Sequence, residues 1–239
     1  MEPEPEPEPE PMSPPSRSDE SMVAKTKRKA GFLRGAMGRT DQVTPLLFLG
    51  GKASATDWDA LQQHHITHVI NSTVNMPNTF AERGIIYLRV AVPDTESTDL
   101  ARHFAKAIAF IDAARAVEGR VLVHCSAGMS RSVTLVLAYL MTAPAPDAAA
   151  DQLAEGRPKT LIDAFRLVKS KRTVVAPNPS FMQQLCEYER QQSGVGGGNK
   201  GAEGGHEAHG SFDIERYRAN RFDKCDAYVR GEYSKSLLE

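Results

Sequence analysis

A cysteine and an arginine stand six residues apart in the segment HCSAGMSR, residues 124–131, which joins two apolar stretches. The residues between them are small or flexible, so their backbone N–H groups can converge on one point at the start of a helix. Such a group of amides at the positive end of a helix dipole binds tetrahedral oxyanions. Gly128 would let the loop turn through positive φ, and Arg131 offers a planar fork that matches two phosphate oxygens. The loop is therefore predicted to bind a phosphate group.

Cys125 would lie in the same positive potential. A helix N-terminus and an adjacent cationic group lower the pKa of a thiol, so we expect Cys125 to be ionised at neutral pH and to act as a nucleophile. The alternative is a buried structural cysteine at the end of a strand. That alternative gives no reason for Gly128, Arg131 and the run of small residues, and we favour the nucleophile.

The segments on both sides of the loop alternate between strand-like and helix-like patterns. β-Branched and apolar runs predict strands, and apolar residues at spacings of three and four predict helices. The expected fold class is α/β, with a central, mostly buried mixed sheet flanked by helices. The loop then lies at the carboxyl end of a strand, where such folds place their sites. The predicted strands are PLLFLGG (45–51), ITHVINST (66–73), IIYLRVAV (85–92) and RVLVH (120–124), and the predicted helices are 56–65 with Thr56 as N-cap, 97–117, 132–141, 160–172 and 180–191.

Composition divides the chain into four segments. Residues 1–40 carry five Glu-Pro repeats and a basic run, KTKRKAGFLRG, and are predicted to be a disordered tail. The basic run is a solvated arm, a nuclear-import patch or a docking peptide for an acidic groove, with the first favoured. Residues 41–191 form the predicted folded domain, and residues 192–210 a Gly-rich linker. Residues 211–239 are predicted to be either a disordered tail or a short amphipathic helix that docks on the domain or on a partner, with Ile214, Tyr217, Arg221, Cys225 and Tyr228 on one face.

The charge balance and the cysteine content argue against several classes of protein. With 29 basic and 30 acidic residues, the chain has no global field that would attract nucleic acid or an anionic membrane. Its acidic start is unlike a secretory signal, no apolar stretch is long enough to span a bilayer, and three cysteines indicate a reducing compartment. His206 and His209 lack further ligands, so no metal or other cofactor is expected. We expect a monomeric protein of the cytoplasm or the nucleus.

The nine residues HCSAGMSRS resemble the His-Cys-x5-Arg-Ser/Thr signature of the cysteine-dependent protein phosphatases. Three further blocks, VPDTESTDL, AYLM and VKSKRTVVAPNPSFMQQLCEYE, are similar to the dual-specificity branch of that family, and the resemblance extends over about residues 41–190. It implies a protein-tyrosine-phosphatase-like fold. It also implies hydrolysis of phosphotyrosine, phosphoserine and phosphothreonine in proteins through a phosphocysteine intermediate, without a cofactor.

The resemblance assigns roles to individual residues. Cys125 is the expected nucleophile, Asp94 the general acid, and Ser132 the hydroxyl that helps the thiolate to leave. Asp99 is a competing acid, but its place at the start of a helix favours a capping role. The resemblance implies that phosphate is bound by Arg131 and by the backbone of Ser126, Ala127, Gly128, Met129 and Ser130, with His124 and Asn178 in supporting roles.

The expected substrate is a phosphoprotein, for example a MAP kinase. A domain of about 150 residues is small for the aromatic wall that confines classical members to phosphotyrosine, and the loop lacks the lysines found in phosphoinositide phosphatases. Residues 1–40 are too short for a rhodanese-like kinase-binding domain, so the chain resembles the atypical single-domain members. Residues 142–159 form an insertion that is predicted to be a surface excursion.

Two other functions and one redox role stay open. A phosphoprotein-binding adaptor would keep the fold without turnover, but Cys125, Arg131 and Asp94 are all present. A rhodanese-type sulfurtransferase also uses a loop cysteine, although the SRS and PDTESTDL segments argue against it. Cys186 could pair with an oxidised Cys125 or simply pack in its helix, which we favour.

Overall fold

The computed structural model describes residues 35, 37–142, 158, 160–192 and 212–220. The chain divides into two compact units, Met1–Gly35 and Ala36–Glu239, and every element given below lies in the second. Most of the predicted N-terminal tail, nearly all of the insertion and the linker, and the residues after 220 lie outside the described part, so predictions about them stay predictions.

Five short strands form one mixed sheet in the order β1-β2-β5-β3-β4. The edge strand β1 runs antiparallel to β2, and every other neighbouring pair is parallel. The central strand β5 is buried along its whole length. The predicted α/β class with a mixed, mostly buried sheet is therefore confirmed. The strands are β1 (Asp41–Gln42), β2 (Leu47–Gly50), β3 (His68–Asn71), β4 (Ile86–Arg89) and β5 (Val121–His124).

Alternate residues of the strands point to two separate cores, because side chains change face at every residue of a strand. In β5, Val121 and Val123 join the larger core, and Leu122 joins the smaller one. The smaller core includes Leu61 from the second helix, and the later helices pack in the larger core. The described helices are α1 (Lys52–Thr56), α2 (Trp58–Gln63), α3 (Phe104–Ala116), α4 (Arg131–Met141), α5 (Leu161–Lys171), α6 (Pro179–Gln192) and α7 (Ile214–Asn220), with 3-10 turns at Ala81–Arg83 and Ala101–His103.

The first predicted helix is wrong in its start and in its cap. Residues 52–63 form two helices, α1 and α2, that meet at Asp57. The Asp57 carboxylate caps α2 by accepting the Ala60 N–H at 3.0 Å. Thr56 is instead the last residue of α1, where its hydroxyl donates to the Lys52 carbonyl at 3.1 Å. A threonine one position before an aspartate is hard to rank from sequence, because both residues are good N-caps.

The C-terminal helix α7 packs on the domain. Phe212 and Tyr217 are buried in the larger core, and each ring forms a T-shaped pair with Phe165 at a centroid distance of 6.0 Å. Arg221, Cys225 and Tyr228, which the sequence placed on the same helical face, lie outside the described residues. None of the helices in the described ranges is both long enough and apolar enough to cross a bilayer.

Candidate active site

The loop between β5 and α4 is fixed by its carbonyl groups. Every carbonyl from Ser126 to Ser130 accepts a hydrogen bond from a neighbouring part of the fold, so the outer side of the loop is fully bonded. The bonds are Lys52 N–H to Ser126 at 3.1 Å, Arg172 Nη2 to Ala127 at 3.0 Å, Arg172 Nε to Gly128 at 2.8 Å, Ala176 N–H to Met129 at 2.9 Å and Thr134 N–H to Ser130 at 2.9 Å.

The amides of the loop face the other way. In a trans peptide the C=O and the following N–H point in opposite directions, so the N–H groups of residues 127–131 face the concave side. One of them, the Gly128 N–H, donates to Cys125 Sγ at 3.2 Å. Gly128 has φ of 67°, which confirms the predicted positive φ. A Cβ there would lie 2.5 Å from the Gly50 carbonyl oxygen, so the position requires glycine both for its conformation and for space.

Cys125 lies at the base of this concave side and is only 2% exposed. Burial alone would raise the pKa of its thiol, but hydrogen bonds from the Ser132 hydroxyl and backbone, the charge of Arg131 and the Met129 N–H together lower it below its usual range. The Ser132 hydroxyl lies 3.3 Å from Sγ. The sequence attributed the thiolate to amide dipoles and Arg131, and the structure adds the hydrogen bond from the Ser132 hydroxyl to these.

His124 precedes the cysteine at the end of β5. Burial lowers the pKa of its imidazole to about 4, so the ring is neutral at physiological pH. Its Nδ1 lies 3.4 Å from the Cys125 carbonyl oxygen. The ring thus packs behind the nucleophile and holds its backbone, as a supporting residue would.

The guanidinium of Arg131 is divided between the scaffold and the concave side. Its Nη1 donates to the carbonyls of Ser72 and Val92, at 3.0 and 3.1 Å, which fixes the plane of the group. Its Nη2 donates to the Ser126 hydroxyl at 3.1 Å. Within the described residues its buried Nε has no hydrogen-bond partner. The Nη edge of the fork is therefore anchored, and Nε faces the Asp94 carboxylate.

Asp94 lies beside this edge. Its Oδ2 is 3.5 Å from Arg131 Nε. Its Oδ1 accepts hydrogen bonds from the Ser130 hydroxyl at 2.8 Å and from Asn178 Nδ2 at 2.9 Å. The Asn178 N–H also donates to the Ser130 oxygen at 3.0 Å. The structure thus brings Asp94, Ser130, Asn178 and Arg131 together. The Ser130 side chain bonds to Asp94, so only the backbone of Ser130 is available to bind phosphate.

Asp99, the competing acid, lies outside this cluster. Its carboxylate accepts the Arg102 N–H at 3.2 Å at the start of a 3-10 turn. Cys186 lies on α6 and packs against the larger core. Burial and then the Glu189 carboxylate raise the pKa of Cys186 to about 11, the opposite direction from Cys125. Both observations agree with the structural roles that the sequence favoured for these two residues.

Arg172 is a residue of the site that sequence reasoning missed. Its side chain is fully buried behind the loop, where it donates to two loop carbonyls and, through Nη1, to Asp41 Oδ2 at 2.6 Å. In the sequence it is one of several basic residues in the run VKSKR, which gives no sign that this one is buried. Asp41 on the edge strand was also missed, because nothing in its sequence shows that it pairs with a buried arginine. No group of three or more potential ligands that could hold a metal ion occurs in the described ranges.

Comparison with known proteins agrees with this geometry. The family model described as dual specificity phosphatase, catalytic domain, matches residues 47–191. The chain belongs to this family. It is 45% identical over 147 residues to dual specificity protein phosphatase Mpk3 of Drosophila melanogaster, in an alignment that covers 61% of this chain and 33% of that protein.

Further similarities extend over the same region. Identity to human dual specificity protein phosphatase 7 is 39% over 150 residues, covering 62% of this chain and 33% of that protein. The crystal structure of human DUSP28 is 34% identical, with a TM-score of 0.56, and the match covers 64% of this chain and 95% of that one. This dual-specificity phosphatase chain thus spans about a third of the length of the two curated relatives.

Proposed function

We propose that this chain hydrolyses phosphate esters on proteins, acting on phosphotyrosine and on phosphoserine and phosphothreonine. The observation that carries the proposal is the arrangement around Cys125. Its buried Sγ, with a lowered pKa, lies below a loop whose carbonyls are all bonded outward and whose amides face inward. Preorganised donors of this kind stabilise charge that develops on the equatorial oxygens of a transferring phosphoryl group.

In the first step the Cys125 thiolate attacks phosphorus, forming an S–P bond while the P–O bond to the substrate breaks. The leaving oxygen takes a proton from Asp94. Because Oδ1 of Asp94 already accepts two hydrogen bonds, Oδ2 is the oxygen that would deliver the proton to the leaving group. The inward amides and the Arg131 guanidinium hold the phosphoryl oxygens throughout.

In the second step water attacks the phosphocysteine. Asp94, now a carboxylate, takes a proton from the water, the new P–O bond forms and the S–P bond breaks. The sulfur leaves as a thiolate, which accepts the hydrogen bond from Ser132. Inorganic phosphate is released, and no cofactor takes part in the proposed sequence of steps.

The proposed substrate is a phosphoprotein, for which a MAP kinase is one candidate. The names of the relatives, dual specificity protein phosphatases, support action on proteins. The proposed location in the cytoplasm or the nucleus follows from composition alone. An adaptor without turnover is less well supported, because the nucleophile, the arginine and the acid lie together.

The test is turnover by the purified full chain in the presence of a chelator. We expect release of 4-nitrophenol from 4-nitrophenyl phosphate and of phosphate from matched phosphotyrosine and phosphothreonine peptides. Cys125→Ser should abolish both activities, and Cys186→Ser, the matched control, should retain them. Peptide binding without any phosphate release by the wild-type protein would reject the enzyme in favour of the adaptor.

A further inference from the structure

Tyr217, on the C-terminal helix, is connected to the general acid by a chain of hydrogen bonds. Its hydroxyl is buried and donates to the Pro177 carbonyl at 2.7 Å. That carbonyl belongs to the same peptide group as the Asn178 N–H, which donates to the Ser130 oxygen at 3.0 Å. The Ser130 hydroxyl in turn donates to Asp94 Oδ1 at 2.8 Å. One rigid peptide group therefore spans the distance between α7 and the phosphate-binding loop.

All the donors in this series of hydrogen bonds point the same way. The order is Tyr217 O–H to carbonyl, Asn178 N–H to hydroxyl oxygen, and Ser130 O–H to carboxylate. Hydrogen bonds aligned in one direction polarise each other, so each strengthens the next. The series of hydrogen bonds ends on the Oδ1 of Asp94, which leaves Oδ2 to exchange the proton with the substrate. Removing the first donor would weaken the last bond and loosen the orientation of the carboxyl group.

Other contacts fix the same segment, residues 173–178. The buried Lys169 ammonium donates to the carbonyls of Thr173 and Val175, the latter at 3.2 Å. On the opposite side the Ala176 N–H donates to the Met129 carbonyl at 2.9 Å. The segment is thus held between the helical layer and the loop, and Tyr217 supplies the contact at the peptide group that bears Asn178.

We propose that Tyr217 is a positioning residue for phosphoryl transfer, which orients Asp94 through the 177–178 peptide group and Ser130. The proposal rests on the proposed function. It gives α7, which lies outside the segment matched by the family model, a part in the reaction.

The test compares Tyr217→Phe, which removes only the hydroxyl, with Tyr188→Phe as a matched control. The Tyr188 hydroxyl contacts Thr142, at the end of α4 remote from the loop. We expect Tyr217→Phe to lower kcat/KM for phenyl phosphate by roughly three- to tenfold, the effect of one neutral hydrogen bond. The loss should be smaller for 4-nitrophenyl phosphate, whose better leaving group needs less protonation. Tyr188→Phe should match the wild type with both substrates.

A double variant separates positioning from a general loss of structure. If Tyr217 acts through Asp94, Tyr217→Phe should have no further effect on kcat/KM in an Asp94→Asn background. A loss that is equal for both leaving groups, or that persists in the Asp94→Asn background, would overturn the proposal.

Amide hydrogen exchange supplies a measurement independent of turnover. Peptides covering residues 173–178 should exchange faster in Tyr217→Phe than in wild type or Tyr188→Phe. Unchanged exchange would also overturn the proposal. A wild-type protein without turnover would instead reject the proposed function, and exchange would then decide whether Tyr217 positions Asn178.

Discussion

Replacing Arg172 by methionine should destabilise the domain severely. The guanidinium is fully buried, pairs with Asp41 at 2.6 Å and donates to the carbonyls of Ala127 and Gly128. Removing one partner of a buried ion pair costs about 3–5 kcal/mol, because the other charge stays buried without compensation. A domain of this size has an unfolding free energy of about 5–15 kcal/mol. The substitution should therefore remove about a fifth of it or more.

Urea unfolding, followed by the fluorescence of Trp58, the single tryptophan, measures this loss. Arg166→Met, on α5, the helix that ends directly before Arg172, is the matched control. Arg166 and Asp163 are 3.5 Å apart at a half-exposed site, where such a pair contributes about 0.5 kcal/mol or less. The m-value should be the same in wild type and both variants, since the surface exposed on unfolding is similar.

Two further variants keep the reasoning testable if the methionine protein does not fold. Arg172→Lys keeps the charge but replaces a planar fork by a point charge, so its stability should lie between wild type and Arg172→Met. Asp41→Asn should cost about 1.5–3 kcal/mol, the contribution of a hydrogen bond to a charged group. If Arg172→Met and Arg166→Met lost the same amount, Arg172 would not hold the loop as described.

Three other predictions concern the site itself. Asp94→Asn should lower kcat/KM for phenyl phosphate by about 100-fold or more, yet bind tungstate as tightly as wild type. Steady-state kinetics measures the rate, and calorimetry measures the binding of tungstate. An unchanged rate would assign the acid elsewhere. Gly128→Ala should reduce the unfolding free energy by more than about 1 kcal/mol. Its control is Gly84→Ala, where φ is 88° but no atom lies within 4 Å of the new Cβ, so the loss there should be smaller. Equal urea midpoints for the two variants would contradict this. Because the pKa of His124 falls from 6.5 to about 4 on folding, the unfolded state binds the proton first, and the unfolding free energy should drop by about 3 kcal/mol between pH 7 and pH 4. In His124→Gln the drop should be smaller by about this amount, and a drop as large as that of the wild type in pH-dependent urea unfolding would refute the assignment.

The loop could be predicted because its information is local. A buried strand, a glycine, a run of small residues and a helix start follow each other directly, and each constrains the backbone of the next. Asp94 and Asn178 are distant in sequence, and the family resemblance rather than residue spacing brought them to the site. The structure then shows why both are near, since Ser130 contacts both.

The rest of the site depends on tertiary contacts that no local pattern encodes. The carbonyls of Ser72 and Val92 orient Arg131, but a backbone carbonyl has no signature in the sequence. The sequence does not distinguish Arg172 from an exposed basic residue, and only the fold shows that it is buried against Asp41. The start of the first helix was placed one residue too early because Thr56 and Asp57 are adjacent and both can act as N-caps.

The attachment of α7 has a practical consequence for recombinant expression. A fragment trimmed to the family match would end at residue 191 and lose the two aromatic rings that cover Phe165. The Phe165 ring, which is 1% exposed with α7 in place, would then be exposed to water. Exposed apolar surfaces of this kind promote aggregation. Soluble material for crystallisation should come from fragments that continue at least to residue 220.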